Sequence, residues 1–309
     1  MEYKPNTLII YPSPTKELNI NEKQFITIYN YINSNDILLV EDIKLDNLEN
    51  YKNIKNIVVL LDNYGEFIEI NINFIKNNRS IKFYIHENDL NKNNSKLNAY
   101  NRYMLLRSCL KELEHVYILA YYWYFYKNMY DINEKNLIKF PKFVMKNCIL
   151  QIKKDVKPKI LLSGSITNNY YPMRKYISEL KHQSIDRLPR GANITGENYI
   201  NYLSEYLCCF TCCLTKETPY IINKFFEIPA SGSLLLAYDE WVKDGLKEIG
   251  FIDGENYISC NKDNILEKIE WICDEKNRDE VDRIRKNGND LVIINHTDEA
   301  RYKFILSII

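Results

Sequence analysis

Short runs of apolar residues recur along the first half of the chain and are separated by more polar segments. Four of these runs are rich in Ile, Leu, Val or aromatic residues and have the length of strands: residues 7–11, 36–40, 56–62 and 80–86. The segments between them, such as residues 21–33, are long enough for helices or crossover connections. This alternation favours a mostly parallel sheet covered on both faces, so the first half is predicted to be a doubly wound α/β domain.

A longer segment, residues 96–127, carries apolar residues at three- and four-residue spacing, which predicts a helix. It includes the aromatic run VYILAYYWYFY at 116–126. This run is far shorter than the ~20 apolar residues that a membrane-spanning helix needs. It is therefore predicted to be a core helix or strand, and no membrane span is expected.

The alternation starts again after a polar stretch at 153–159, which is a candidate linker. Strand-like and helix-like segments follow up to about residue 262, and the chain then reads as helical to its end, with Thr297 and Asp298 suited to cap a last helix. The sequence therefore predicts an α/β protein with two Rossmann-like domains, residues 1–156 and 157–296, followed by a C-terminal helical segment, residues 297–309.

Charge and cysteine content narrow the possible partners. Lysine plus arginine (41) equal aspartate plus glutamate (41), so the chain has no net field for a nucleic acid. The chain opens with MEYKPNT, which does not resemble a signal peptide. Its CCFTCC stretch lies in an apolar run without a second CxxC or a nearby histidine, which predicts buried reduced thiols, no bound metal and a reducing, cytoplasmic location.

One charged residue stands out in the stretch NKFFEIPASGSLLLA, at 223–237. Glu227 lies between apolar residues, and a buried charge without a partner costs about 3–5 kcal/mol. Thr218 can cap a helix and Pro219 suits its first position, which predicts that Glu227 lies on a helix starting there. Gly232 can take the left-handed conformation that ends this helix before a strand.

The predicted helix has one polar face. Tyr220, Asn223 and Lys224 precede Glu227 by seven, four and three residues, so all four share one side. Two interpretations remain open on spacing alone. Lys224 and Glu227 form a surface ion pair, or the stripe binds a polar ligand.

Ligands of open α/β sheets bind outside the carboxyl ends of the strands. The strand candidates at 159–165 and 206–213 both end near such polar residues. A nucleotide diphosphate is therefore expected over the loops at Gly164–Ser165 and Thr218, with Glu227 accepting hydrogen bonds from the ribose hydroxyls and Lys224 supplying positive charge.

The same stretches resemble a known family. KFFEIPASGSLLLA is similar to the Arg-x-Phe-Glu-x-x-Ala-x-Gly element of two-domain GT-B glycosyltransferases, closest to those called CgeB-like or spore-maturation-protein-like. KILLSGSITNNYYPMRKYISEL resembles the first strand, turn and helix of their nucleotide domain, and HTDEAR resembles their closing His-Thr-x-x-x-Arg element. The matching positions are Gly164, Ser165, Tyr171, Pro172, Arg174, His296, Thr297 and Arg301.

The resemblance implies a transferase that moves a sugar from a nucleotide sugar, with a UDP-sugar favoured, to a glycan, protein or small-molecule acceptor. It implies a donor held by the second domain without a metal or cofactor, and a last helix that crosses back to the first domain. Its candidate donor-binding residues are Gly164, Ser165, Arg174, Thr218, Tyr220, Asn223, Lys224, Glu227 and Gly232. Lys224 stands where the family usually has arginine, Pro229 replaces an alanine, and Tyr220 stands where retaining enzymes often carry an acid, so inversion and retention both stay open.

The first domain, from which the resemblance implies that the sugar acceptor approaches, offers fewer candidate site residues. His86, Glu87 and Asp89 follow the strand candidate at 80–86, where an acid or base would face a cleft. They are the candidate catalytic residues, although a histidine at a strand end is more often structural. A sugar-nucleotide epimerase and a catalytically silent sugar- or protein-binding relative are the alternative functions.

Overall fold

The chain divides into two compact units. Unit 1 comprises Met1–Pro141 and Arg301–Ile309, and unit 2 comprises Lys142–Ala300. This division lies before the predicted boundary at 156/157, because the backbone atoms of residues such as Leu150 and Lys153 form hydrogen bonds within unit 2. The computed structural model describes residues 6–10, 37–40, 45, 53–60, 64–87, 111–129, 134–166, 171–189, 192, 194–213, 215–216 and 219–309.

Unit 1 contains a parallel sheet in the order β2-β1-β3-β4-β5-β6. All of its strand pairs are parallel, which confirms the sheet type that the apolar runs predict. The strands are β1 Thr7–Ile10, β2 Ile37–Val40, β3 Asn56–Val59, β4 Lys82–Glu87, β5 Val116–Ala120 and β6 Leu137–Lys139.

The helices described in unit 1 include α1, Tyr64–Asn77, and α2, Trp123–Met129. The helix predicted over 96–127 is wrong at residues 116–120, which form β5 as one of the two alternatives for the aromatic run, whereas residues 123–127 are helical and belong to α2. Strand β5 is buried in the sheet between β4 and β6, where β-branched and aromatic side chains fit a pleated surface better than a helix. The first part of the predicted helix, up to residue 110, lies outside the described residues.

Unit 2 contains a second parallel sheet, in the order β11-β10-β9-β7-β8. Its central strand β9 carries the CCFTCC run and is buried at every position, as predicted. The seven cysteines in the described part of the chain form no disulfide. The strands are β7 Lys157–Leu162, β8 Ile185–Arg187, β9 Tyr206–Cys212, β10 Leu234–Tyr238 and β11 Ile258–Cys260.

Helices connect the strands of unit 2. Those described are α3 Pro172–Glu179, α4 Gly196–Leu203, α5 Lys224–Ala230, α6 Lys243–Glu248, α7 Ile265–Cys273 and α8 Arg278–Asn295. No helix in the described ranges combines the length and the apolar character needed to cross a membrane.

Helix α5 is shorter than the sequence predicts. It begins at Lys224, whereas Pro219–Ile222 is not helical and buries Tyr220 and Ile221. The predicted cap, Thr218, lies outside the described residues. The backbone N–H groups of Phe226 and Glu227 both donate to the carbonyl of Asn223, which opens the first turn. The predicted left-handed Gly232 is confirmed, with φ +79°.

The last helix, α9, spans Asp298–Ile308. Thr297 caps it as predicted, because its hydroxyl accepts a hydrogen bond of 3.1 Å from the N–H of Ala300. The part of the chain from Arg301 onward belongs to unit 1. There Arg301 Nε donates to the Pro141 carbonyl at 2.7 Å, and the Tyr84 hydroxyl donates to the Ile308 carbonyl at 2.7 Å.

Candidate functional site

The strand order of unit 2 contains a switch point between β7 and β9. From β7 the chain moves to β8 on one side, and β9 then pairs with β7 on the other side. At such a switch point the loops that follow the two strands diverge and leave room for a ligand outside their carboxyl ends. Strands β7 and β9 end at Leu162 and Cys212.

In the loop after β7, the backbone at Gly164 lies close to side chains from two helices. Gly164 has φ +97°, a left-handed conformation that favours glycine. A Cβ added here would lie 2.9 Å from Nη1 of Arg174 and 3.1 Å from Cε of Lys224. Two basic side chains, from α3 and α5, therefore lie directly against this glycine.

Replacing Gly164 with alanine is expected to destabilise the protein for two reasons, the backbone conformation and the lack of space for a Cβ. The left-handed backbone costs about 1–2 kcal/mol for a residue with a Cβ, and Arg174 and Lys224 must move as well. Gly254→Ala is the matched control, because Gly254 has φ +76° but nothing within 4 Å of an added Cβ. Thermal unfolding should show a larger loss for Gly164→Ala, and equal losses would contradict the close approach.

Arg174 is buried without a full set of partners. Its side chain is only 2% exposed, and its guanidinium carbon lies 3.7 Å from the centroid of the Tyr171 ring. Within the described residues, its Nε and Nη2 atoms have no hydrogen-bond partner. A buried cation with unused donors is costly, so an anionic ligand is the expected acceptor.

Lys224 is the second cation at this edge. Its ammonium donates to the hydroxyl of Tyr199, which lies 2.7 Å from Oγ of Ser163. Burial lowers the pKa of Lys224 to about 8, although the nearby Glu227 carboxylate acts in the opposite direction. Lys224 is therefore charged at neutral pH but loses its proton in mildly alkaline solution.

Glu227 completes what we call the charged cluster: Arg174, Lys224, Lys142 and Glu227. Burial raises the pKa of Glu227, and the positive charges of Lys224, Lys142 and Arg174 oppose that rise. Three cations around one carboxylate leave an excess of positive charge. That balance suits an anion such as a diphosphate, while the carboxylate can accept hydrogen bonds only. A surface Lys224–Glu227 pair, the simpler alternative, does not describe this arrangement.

The other predicted donor residues lie in different places. Tyr220 is buried and Ser165 is exposed beside Gly164, whereas Thr218 lies outside the described residues. Within the described ranges, the buried Oδ1 atom of Asn223 has no hydrogen-bond partner. Asn223 directly precedes Lys224. The part of Ser165, Tyr220 and Asn223 in binding stays a prediction.

Gly232 is not brought to the charged cluster. It precedes β10, whose first residue pairs with Cys208 near the start of β9, so it lies at the opposite edge of the sheet. An added Cβ would meet the backbone of Ile152 at 3.1 Å, and the Gly232 carbonyl accepts a hydrogen bond from Arg285. Its left-handed turn packs against Ile152 and α8, and its part in donor binding stays a prediction.

The predicted catalytic residues lie in unit 1. His86 and Glu87 end β4 and are both fully buried. The His86 ring packs edge-on against Tyr121, with centroids 4.3 Å apart, and against Phe140 at 5.7 Å. Asp89 lies outside the described residues. The burial of His86 and Glu87 is typical of core residues, and their catalytic role stays a prediction.

A metal site is not evident in the part of the chain that the structure describes. No group of three or more His, Cys, Asp and Glu side chains there could hold a metal ion. The histidine of the closing element, His296, has a structural environment instead. Its Nε2 lies 2.9 Å from the Ile249 carbonyl, and its ring stacks on Phe251.

Sequence reasoning missed three members of this region: Ser163, Lys142 and Tyr199. Ser163 directly precedes the noted Gly164, and that position after a strand was an available signal. Lys142 lies in KFPKFV, and Tyr199 lies in a helix that reads as ordinary amphipathic sequence. Only the fold brings these residues to Lys224 and Glu227.

Comparison with solved structures shows what fold these two units form. The chain is similar to a glycosyltransferase from Rickettsia africae, with a TM-score of 0.57 and 14% identity over 99% of this chain and 97% of that one. It is similar to HepE of Anabaena, with a TM-score of 0.58 and 10% identity over 98% and 99% of the two chains. Sucrose-phosphate synthase from Thermosynechococcus elongatus gives a TM-score of 0.52 and 12% identity over 84% and 74%.

These similarities show that the chain has the α/β fold of glycosyltransferases, in agreement with the GT-B architecture that the sequence resembles. No family model matches the chain, and no curated protein matches it. Its assignment to the CgeB-like group therefore stays a prediction.

Proposed function

We propose that the protein is a glycosyltransferase that uses a nucleotide sugar, with a UDP-sugar favoured, as its donor. The observation that carries this proposal is Arg174: a buried guanidinium with unused donors, held against a glycine at the switch point of the sheet. The glycosyltransferase fold supplies the reaction class.

Each residue of the charged cluster has a task in this proposal. Arg174 and Lys224 neutralise the diphosphate, which takes the bonding electrons when the bond between the sugar C1 and the phosphate oxygen breaks. Glu227 accepts hydrogen bonds from the ribose hydroxyls and so fixes the nucleoside. The acceptor oxygen forms the new bond to C1 and releases its proton to a base. His86, Glu87 and Asp89 remain the predicted groups for that step.

Two observations support a UDP-sugar and a reaction without a metal. HepE was solved in complexes with UDP and glucose and with UDP-glucose. The excess positive charge of the cluster can neutralise a diphosphate by itself, which is the role that a divalent cation plays in other enzymes.

The proposal is tested by nucleotide release. The protein is incubated with UDP-, GDP- and TDP-sugars, with either magnesium or a chelator, and the released nucleoside diphosphate is measured. Release from one sugar class that survives the chelator and is lost in Arg174→Met supports the proposal. Tight nucleotide binding without any release, with a range of glycan and protein acceptors, would favour the silent sugar-binding relative.

The pKa of Lys224 predicts how UDP binding depends on pH. Because this pKa is lowered to about 8, the ammonium loses its proton as pH rises through 8, and UDP should bind more weakly at pH 9 than at pH 7. The lowered pKa of Lys224 has the opposite effect on the stability of the folded protein. Above pH 8 the unfolded chain binds more protons at this residue, so its contribution to the stability of the free protein rises with pH.

Calorimetric titration of UDP between pH 7 and pH 9 measures this effect. Lys224→Arg is the matched control, because arginine keeps its charge over the whole range and should bind UDP with little pH dependence. Equal slopes for the wild type and Lys224→Arg would show that Lys224 is not the titrating group.

A further inference from the structure

Three side chains form a hydrogen-bond chain from α5 to the end of β7. The ammonium of Lys224 donates to the hydroxyl of Tyr199, and this hydroxyl lies 2.7 Å from Oγ of Ser163. Lys224 Nζ also lies 4.1 Å from the centroid of the Tyr199 ring, within the range of a cation–π interaction. Tyr199 is 8% exposed and Ser163 is 1% exposed, so these two hydroxyl groups are shielded from water, whereas Lys224 is half-buried.

The charge of Lys224 sets the direction of this chain. An ammonium has three donors and no acceptor, so Tyr199 must accept from it. The Tyr199 proton is then directed to Ser163, which accepts in turn. The hydroxyl proton of Ser163 is therefore not used within this chain of hydrogen bonds.

The hydrogen bond from Lys224 to Tyr199 also lowers the entropy cost of binding an anion. Lysine has a flexible four-carbon stem, and ordering it costs up to about 2 kcal/mol of rotamer entropy. Tyrosine has only two side-chain torsions, and here its position is fixed by α4 and by Ser163. When an anion binds, less of this entropy remains to be lost by an ammonium that is already held by Tyr199.

We propose that Tyr199 is a positioning residue of the donor site: together with Ser163 it holds the ammonium of Lys224, whose Cε lies beside Gly164, in place for the diphosphate of a nucleotide sugar. This inference rests on the proposed function. It assigns to α4 a role in donor binding, although Tyr199 itself need not touch the sugar.

Several charged or titratable groups face Lys224 besides Tyr199. Glu227 lies on the same helix, Arg174 belongs to α3 and Cys209 belongs to β9. Tyr199→Phe leaves all of these in place and removes only the hydroxyl that accepts from the ammonium and donates to Ser163. Since a hydrogen bond to the charged form stabilises that form, its loss should move the alkaline decline of UDP binding to lower pH.

The test is calorimetric titration of UDP from pH 7 to pH 9 with the full-length protein. Tyr199→Phe should bind UDP about three- to tenfold more weakly at pH 7, which is the expected effect of one hydrogen bond. Its decline should also begin at lower pH. Tyr202→Phe is the matched control on the same helix, because the Tyr202 hydroxyl contacts that of Tyr206 instead. It should match the wild type.

A second comparison separates positioning from general packing. In a Lys224→Met background, Tyr199→Phe should cause no further loss of UDP affinity, because the group that it positions is already absent. Ser163→Ala keeps the Tyr199 hydroxyl but removes its support, and a smaller change in the same direction is expected. This variant carries the test if Tyr199→Phe does not fold.

Two results would overturn the inference while the proposed function stands. In both, the wild type binds UDP and Lys224→Met weakens this binding. In the first, Tyr199→Phe matches the wild type at every pH. In the second, Tyr199→Phe weakens UDP binding by the same factor in the Lys224→Met background as in the wild type. If the wild type binds no nucleoside diphosphate, the proposed function and this inference fail together.

Discussion

Replacing Glu227 with glutamine is expected to weaken UDP binding by about 1.5–3 kcal/mol, roughly tenfold or more in Kd. The carboxylate is the acceptor-only group of the charged cluster, and it is held among Lys224, Lys142 and Arg174. Glutamine has nearly the same shape but presents one neutral oxygen and an NH₂ group, so the ribose hydroxyls lose a charged acceptor. Calorimetric titration of UDP measures the difference.

The control for this prediction is Glu205→Gln. Glu205 is exposed and pairs with Lys157 at the start of β7, at the opposite edge of the sheet from Gly164. The Glu205→Gln variant should bind UDP like the wild type. Wild-type affinity in Glu227→Gln would mean that Glu227 only balances the neighbouring cations and does not contact the nucleotide.

Replacing Arg174 with methionine is expected to weaken UDP binding without destabilising the free protein. UDP affinity should fall by about 3 kcal/mol or more, at least a hundredfold, because charged hydrogen bonds to the diphosphate are lost. The free protein should not be destabilised, since Nε and Nη2 of Arg174 have no partners in the described part of the chain and their burial is a cost. Binding is measured by calorimetry and stability by denaturant unfolding.

Arg285→Met is the matched control, because Arg285 is also 2% exposed but its donors are used. It donates to the carbonyls of Gly232 and Lys153 and to the carboxylate of Asp282. Its loss should cost stability, about 3 kcal/mol or more, and leave UDP affinity nearly unchanged. The opposite pattern, with Arg174→Met unstable and still able to bind UDP, would make Arg174 a structural residue.

Much of the fold could be predicted from the sequence because strands buried on both faces leave a strong signal. Runs such as residues 7–11 and 206–212 are apolar except for one threonine each, and each contains a strand of a parallel sheet. The signal fails where apolar spacing is ambiguous. The segment 116–120 has helix-like neighbours, yet pairing with β4 and β6 makes it a strand.

The start of α5 could not be predicted for a related reason. A threonine followed by proline is a good local start signal, but Tyr220 and Ile221 are buried in a non-helical segment, and tertiary packing outweighs the capping preference. Glu227 and Lys224 nevertheless share a helix, as predicted.

The site was predictable only where its residues carried a local signal. Gly164 and Glu227 were each unusual in their own surroundings. Lys142 and Tyr199 lie far apart in the sequence and have ordinary neighbours, so nothing local links them to Glu227. The tertiary fold of unit 2 places both near Glu227.

Hydrogen–deuterium exchange with and without UDP tests the central claim most directly, because it locates the bound nucleotide along the chain. The account predicts that saturating UDP slows exchange most in the peptides that contain Ser163–Ser165 and residues 219–227. Arg174→Met at the same UDP concentration should lose this protection. Binding of UDP to the wild type with the strongest protection elsewhere, and none after β7, would contradict the account.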